Sequence, residues 1–194
     1  MARLGGAVPT GDRILDVAER LTQTRGYNGF SYADVSSALR IEKASVHYHF
    51  PTKAELGVRM IARYRERFGE ALARIDREAA AAPARLRRYA DLWIGVLRDG
   101  GRMCLCGMLA AEVETLPLRV REALKGFFDA NETWLSATLA AGRKAKVLRF
   151  EGSPLAEARA LLTGLEGAML LARSYGEPRR FQAVAARLLK RVGV

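Results

Sequence analysis

The stretch Ser31–Leu56, SYADVSSALRIEKASVHYHFPTKAEL, limits what this chain can fold into more than any other. Ser31 is suited to cap a helix, with Asp34 placed where an acid favours the helix dipole. Val35, Ala38 and Leu39 then recur at helical spacing. Arg40-Ile41-Glu42-Lys43 reads as a turn, Ala44–Phe50 as a second short helix, and Pro51 stops it. Thr52 caps the next helix. Two short helices across a tight turn form a helix-turn-helix, whose second helix enters the DNA major groove.

The remaining chain reads as helix throughout. Ile14, Val17, Ala18 and Leu21 make the stripe of a first helix, capped by Thr10 or Asp12 and ended by Gly26. Residues 1–9 form a tail whose Arg3 is a further candidate for touching DNA. Thr52–Ala80 is one long helix, with Leu56, Met60, Tyr64, Phe68, Leu72 and Ile75 on one side. Further helices are expected at Pro83–Arg98, Met103–Thr115, Pro117–Ala141, Pro154–Tyr175 and Arg179–Val192. The fold class is therefore all-α with nine helices. Residues 1–51 form a three-helix DNA-binding domain and residues 52–194 a helical effector-binding and dimerisation domain, joined by the linking helix 52–80.

KASVHYHFPTKAEL resembles the signature of the TetR family of transcriptional regulators, and Arg13–Phe30, RILDVAERLTQTRGYNGF, resembles that family's first helix and its Gly-Tyr exit. Two positions depart from the pattern. Arg40 stands where the family usually has Gly, at a position that tends to a positive φ, and His47 stands where it most often has Tyr. The resemblance implies a homodimer that binds a palindromic operator in double-stranded DNA and responds to a small-molecule effector, most often as a repressor.

The exposed positions of the second helix are Lys43, Ala44, Ser45, His47, Tyr48 and His49. Lys43 can reach a guanine edge or a phosphate, Ser45 a base or the backbone, and Ala44 a thymine methyl. The resemblance puts His47 and His49 at phosphate or sugar, and Lys53 at a phosphate beside a helix N-terminus. Val46 and Phe50 read as buried.

Arg102–Pro117, RMCLCGMLAAEVETLP, resembles the Gly-x-Leu-Ala-x-Glu segment of a family branch that senses small molecules, some of them electrophiles met by a cysteine. Cys104 and Cys106 are thus candidate sensors, with core packing as the alternative. Trp93, Met108, Phe127, Phe128, Trp134 and Met169 are candidates for a pocket wall or for core. Glu112 and Glu166 interrupt apolar runs and are the polar groups to watch there. Leu161, Gly164, Leu165, Ala168, Met169 and Ala172, with Phe181, Val184 and Leu188, suggest the two helices of a dimer interface.

Charge adds little. The chain carries a net +11, but residues 1–53 hold only +2 of it, so the motif and not the charge argues for DNA. The two cysteines cannot make a disulfide framework. His47 and His49 point to nearly opposite sides of a helix, and with Cys104 and Cys106 match no zinc spacing, so no metal or other cofactor is expected. The N-terminal MARLGGAVPTGD lacks the apolar core of a secretory signal, and no run is long and apolar enough to span a bilayer. A cytoplasmic location with reduced thiols and no membrane partner is expected. There is no phosphate loop and no nucleophile–base pair to suggest an enzyme. The alternatives left are a cysteine-based redox or electrophile switch and an architectural DNA-binding protein.

Overall fold

The computed structural model describes residues 8–194, so Arg3 lies outside the described residues. Among them are nine α-helices, one short 3₁₀ turn and no strand. The first three, α1 (Thr10–Arg25), α2 (Tyr32–Leu39) and α3 (Lys43–His49), pack as a small unit. The long α4 (Lys53–Glu78) leads into α5 (Ala82–Arg98), α6 (Leu105–Ala111) and the 3₁₀ turn Val113–Thr115. Then follow α7 (Leu118–Lys144), α8 (Pro154–Ser174) and α9 (Pro178–Arg191).

The long α4 behaves as its stripe predicts. Leu56, Met60, Tyr64, Leu72 and Ile75 are buried and Phe68 is half-buried. Thr52 caps the helix by accepting the Glu55 N–H at 3.2 Å. On its other side Arg63 pairs with Asp16 at 2.8 Å, and Arg67 pairs with Glu19. These ion pairs strap α4 to α1, while its apolar face meets α7. One continuous apolar core runs from Ile14 to Val192. Trp93, Tyr89, Phe127 and Phe181 are its largest fully buried side chains.

Some helix ends differ from the expected ones, for local reasons. Neither Thr10 nor Asp12 caps α1; the Pro9 carbonyl accepts the Asp12 and Arg13 N–H groups instead. The run from Met103 begins as helix only at Leu105, because Cys104 is extended. Beyond Ala141, α7 continues to Lys144, where Gly142 leaves room for Leu148 to fold back onto the helix.

The expected interface face of α8 and α9 turns inward. Leu161, Leu165, Ala168, Met169, Ala172 and Phe181 are buried in the chain's own core. Gly164 receives the half-buried Leu188, so the close approach expected between subunits occurs between α8 and α9 of one chain. Of the expected set only Val184 is well exposed. The other large apolar side chains left outside on these two helices are Leu155, Leu170, Leu171 and Tyr175. An α8 that is apolar on nearly every side can satisfy its own core with one face and still present another.

Candidate nucleic-acid interface and effector groove

The α2–turn–α3 unit is held by short, local bonds. The Asp34 carboxylate accepts from the Ser31 N–H at 2.8 Å and the Ser31 hydroxyl at 2.7 Å. These hydrogen bonds hold its pKa below the ordinary carboxylate range. At the other end of α2, Arg40 takes φ 54° and ψ 47°, the left-handed conformation expected of a glycine there. The Ile41 N–H reaches back to the Ser36 carbonyl at 3.1 Å and the Arg40 N–H to Ser37 at 3.3 Å. This is a Schellman ending, and the apolar Ile41 that follows is partly buried against the core, as such endings prefer.

That ending sets the direction of α3. Val46 is fully buried and Phe50 nearly so, anchoring the helix on the small unit's core. Tyr32 donates its hydroxyl to the Phe50 carbonyl at 2.7 Å and meets the His47 ring edge-on at 4.7 Å. Burial raises the Tyr27 and Tyr32 phenols to about 12, so both stay neutral at physiological pH. Around the rest of α3, Lys43, Ala44, His47, Tyr48 and His49 are all exposed and Ser45 is half-buried. Tyr48 is 84% exposed, unusual for so large an apolar ring.

Lys53 departs from expectation. Its ammonium donates to the Phe30 carbonyl and sits over the Phe30 and Tyr27 rings at 4.3 and 4.8 Å. Burial lowers its pKa. Lys53 thus braces the α1–α2 turn and does not project from the surface. Two aromatic faces and a carbonyl hold the cation there.

A second feature opens between α6, α7 and α8: a groove of about 520 Å³. Of the residues expected on a pocket wall, Met108, Phe128 and Glu166 line it. Trp93, Cys104, Cys106, Phe127 and Met169 do not; they are buried in the core. Trp134 is also elsewhere, donating to Asp76 at 2.9 Å and stacked on Tyr89. The wall also includes Met103, Gly107, Glu132, Thr163 and Leu170, which carry no pocket signal in the sequence. At Gly107 any side chain would collide with the Glu166 carboxylate.

Both cysteines are free and buried. Burial first, then the nearby Glu166, pushes both thiols well above their ordinary range. Burial also raises Glu166 to about 7. Among the described residues no cluster of three or more His, Cys, Asp or Glu could hold a metal. No helix among the described residues is long and apolar enough to cross a membrane.

Glu112 is not on the groove wall. It closes α6 and reaches the α1–α2 turn, where its carboxylate accepts from the Asn28 N–H at 2.9 Å and the Asn28 side-chain amide at 2.7 Å. Thr115 joins the same amide at 2.7 Å. Gly26, at φ 88°, permits this approach twice over, because a side chain there would be strained and would strike Glu112. At the other end of α6, the Met103 N–H donates to the Gln23 carbonyl at 3.3 Å. Arg173 on α8 donates to the Thr24 carbonyl at 2.6 Å and to the Met108 sulfur at 3.5 Å. The wall of the groove and the end of α1 are thus parts of one bonded assembly.

Residues 14–60 match the family model for bacterial regulatory proteins of the tetR family, and residues 82–188 match the tetracyclin repressor-like C-terminal domain. The transcriptional regulator AcuR of Cereibacter sphaeroides is 34% identical over 161 residues, covering 80% of this chain and 72% of that protein. The HTH-type transcriptional repressor NemR of Escherichia coli K12 is 26% identical over 167 residues, covering 84% of each. A crystal structure of a TetR-family regulator from Agrobacterium tumefaciens superimposes with a TM-score of 0.92 at 33% identity, covering 95% of this chain and 97% of that one.

Proposed function

This chain belongs to the TetR family of bacterial regulatory proteins, and from that premise we propose that it is a ligand-responsive repressor released from a palindromic operator by a small molecule. Residues 1–51 read the operator, residues 52–194 bind the effector and a second copy of the chain, and the protein works in the cytoplasm. The observation that carries this reading is the exposed face of α3. Lys43, Ala44, Ser45, His47, Tyr48 and His49 present cationic, hydrogen-bonding and aromatic groups from a helix rigidly braced by the Ser31–Asp34 cap and the Arg40 ending. Such a face suits base edges and phosphates together.

One short helix contacts too few base pairs for specificity, so two copies acting on half-sites about one helical turn apart are needed. The outward Leu155, Leu170, Leu171, Tyr175 and Val184 support a two-fold interface on the exposed side of α8 and α9. The groove supports a site for the effector, whose volume falls within the range for small ligands. A ligand there favours one placement of α6 over another. The bonds from Glu112, Met103 and Arg173 to residues 23–28 pass that preference to the DNA-binding unit, alongside the route through α4.

The groove supports reversible binding over cysteine chemistry, since both thiols are buried and their thiolate forms suppressed. The test is selection of bound sites from random duplexes, followed by titration of the preferred site at fixed salt. Wild type should select a two-fold symmetric sequence and bind as a dimer, and Lys43→Ala/Ser45→Ala should lose it. Binding without sequence preference would sink the reading in favour of an architectural protein. Loss of operator binding on mild alkylation, absent in Cys104→Ser/Cys106→Ser, would replace the ligand with a thiol switch.

A further inference from the structure

The charges that face the groove do not resemble those of the rest of the molecule. The chain carries a net +11, yet no lysine or arginine lines the groove, and its two ionisable wall residues are Glu166 and Glu132. The rest of the lining includes Met103, Met108, Phe128 and Leu170. Glu132 is satisfied at the rim by Arg159 at 2.9 Å. Glu166 is not: its Oε1 is buried and has no hydrogen-bond partner, and the one donor beside the carboxylate is the weak Cys104 thiol. An acceptor left without a donor in an apolar wall is expensive, and most buried carboxylates avoid that state.

The position is also built to keep the carboxylate there. Gly107 on α6 has no side chain where the Glu166 carboxylate rests, and any Cβ would overlap it. The groups facing Glu166 from the neighbouring elements are Tyr64 of α4, Tyr89 of α5, and Cys104 and Cys106 at the start of α6. Glu132 of α7 shares the groove. Of the two arginines on α8, Arg159 pairs with Glu132 and Arg173 is engaged by the Thr24 carbonyl and the Met108 sulfur. None of these neutralises the carboxylate.

We propose that the groove takes a lipophilic amine in its ammonium form, with the N–H donated to Glu166 Oε1 and the apolar body laid against Phe128, Met103, Met108 and Leu170. The inference rests on the reading of this groove as the effector site and narrows its ligand class. An ammonium supplies both things the wall lacks, a donor and a positive charge, and charge-assisted bonds of this kind are the strong ones. The ring of Phe128 and the thioethers add soft, polarisable contacts for the same cation and its body. A carboxylate or phosphate ligand would meet the unpaired Glu166 in a wall that holds no lysine or arginine.

The experiment compares phenylbutylamine, phenylbutanol and phenylbutyrate by calorimetry on the full-length protein, with operator affinity read by fluorescence anisotropy in the same samples. The amine should bind about tenfold or more tightly than the alcohol, and the carboxylate least. Glu166→Gln should erase the preference and Glu132→Gln should keep it. Wild type gives a second readout that needs no variant: amine affinity should rise as pH is raised through about 7, where Glu166 loses its proton. Binding of the alcohol or carboxylate as tight as the amine, or no binding of the amine, overturns the proposal. So does a preference unchanged in Glu166→Gln, or a flat pH profile. Amine binding that leaves operator affinity unchanged would uphold the site and remove its regulatory reading. Intact operator binding without amine selectivity removes the site chemistry alone.

Discussion

Arg40→Gly should stabilise the protein although it deletes a large side chain. Arg40 closes α2 at φ 54° and ψ 47°, a region where a Cβ costs about 1–2 kcal/mol. Among the described residues its guanidinium makes no hydrogen bond or ion pair, and the residue is exposed, so little is lost with the side chain. Glycine removes the steric cost but gives the unfolded chain more freedom, which takes back about 0.4–1 kcal/mol. The net gain is about 0.5–1 kcal/mol, or ~1–4 °C in Tm for a chain of this size. Arg40→Ala is the control. It discards the same side chain and charge yet keeps the Cβ, so it should match the wild type. The assay is urea denaturation followed by far-ultraviolet circular dichroism, at one fixed protein concentration because the native state is expected to dimerise. An Arg40→Gly protein no more stable than Arg40→Ala would refute the steric argument, and the backbone bonds from Ile41 and Arg40 would then carry the ending alone.

Three further outcomes follow from the site. Tyr48→Ala should leave the urea midpoint within ~0.5 kcal/mol of wild type, as for a surface change, but weaken binding to the selected operator by about 1 kcal/mol or more; equal loss of both would mean Tyr48 is structural. Glu112→Ala should cost about 1 kcal/mol and speed amide exchange at Asn28, whose N–H it accepts; unchanged exchange there would show the bond to be idle. Glu166 is raised from 4.5 to about 7 by burial, so the folded state holds its proton longer than the unfolded one. Stability from this group is full below 4.5 and is lost as pH rises to about 7, by up to roughly 3 kcal/mol. Glu166→Gln should flatten that part of the pH–stability curve, and a curve of unchanged slope would contradict the burial.

What could be read from sequence was what local chemistry decides. The Ser31–Asp34 cap, the Thr52 cap, the left-handed Arg40 and the buried Val46 and Phe50 all follow from neighbours within a few residues. The stripe of α4 was legible because only one of its faces is apolar. On α8, by contrast, Leu161, Leu162, Leu165, Met169, Leu170 and Leu171 surround the helix, and periodicity could not say which face the chain would keep for itself. The groove was obscured for the opposite reason. Bulky residues such as Trp93 and Phe127 suggest a pocket wall, but large side chains fill space, and the opening lies where Gly107, Ala110 and Thr163 leave it unfilled. Lys53 and Glu112 take partners dozens of residues away, which no local pattern encodes.

The bonds between Glu112 and Asn28 have a consequence for dosage. If an occupant of the groove loosens the grip on DNA through them, the DNA loosens the groove's grip on its occupant by the same factor. Operator-bound copies are then the last to respond, and copies free in the cell are the first to soak up the ligand. The response threshold would rise with the abundance of the regulator itself, and a strain making more of it would need more ligand even at a promoter with a single operator.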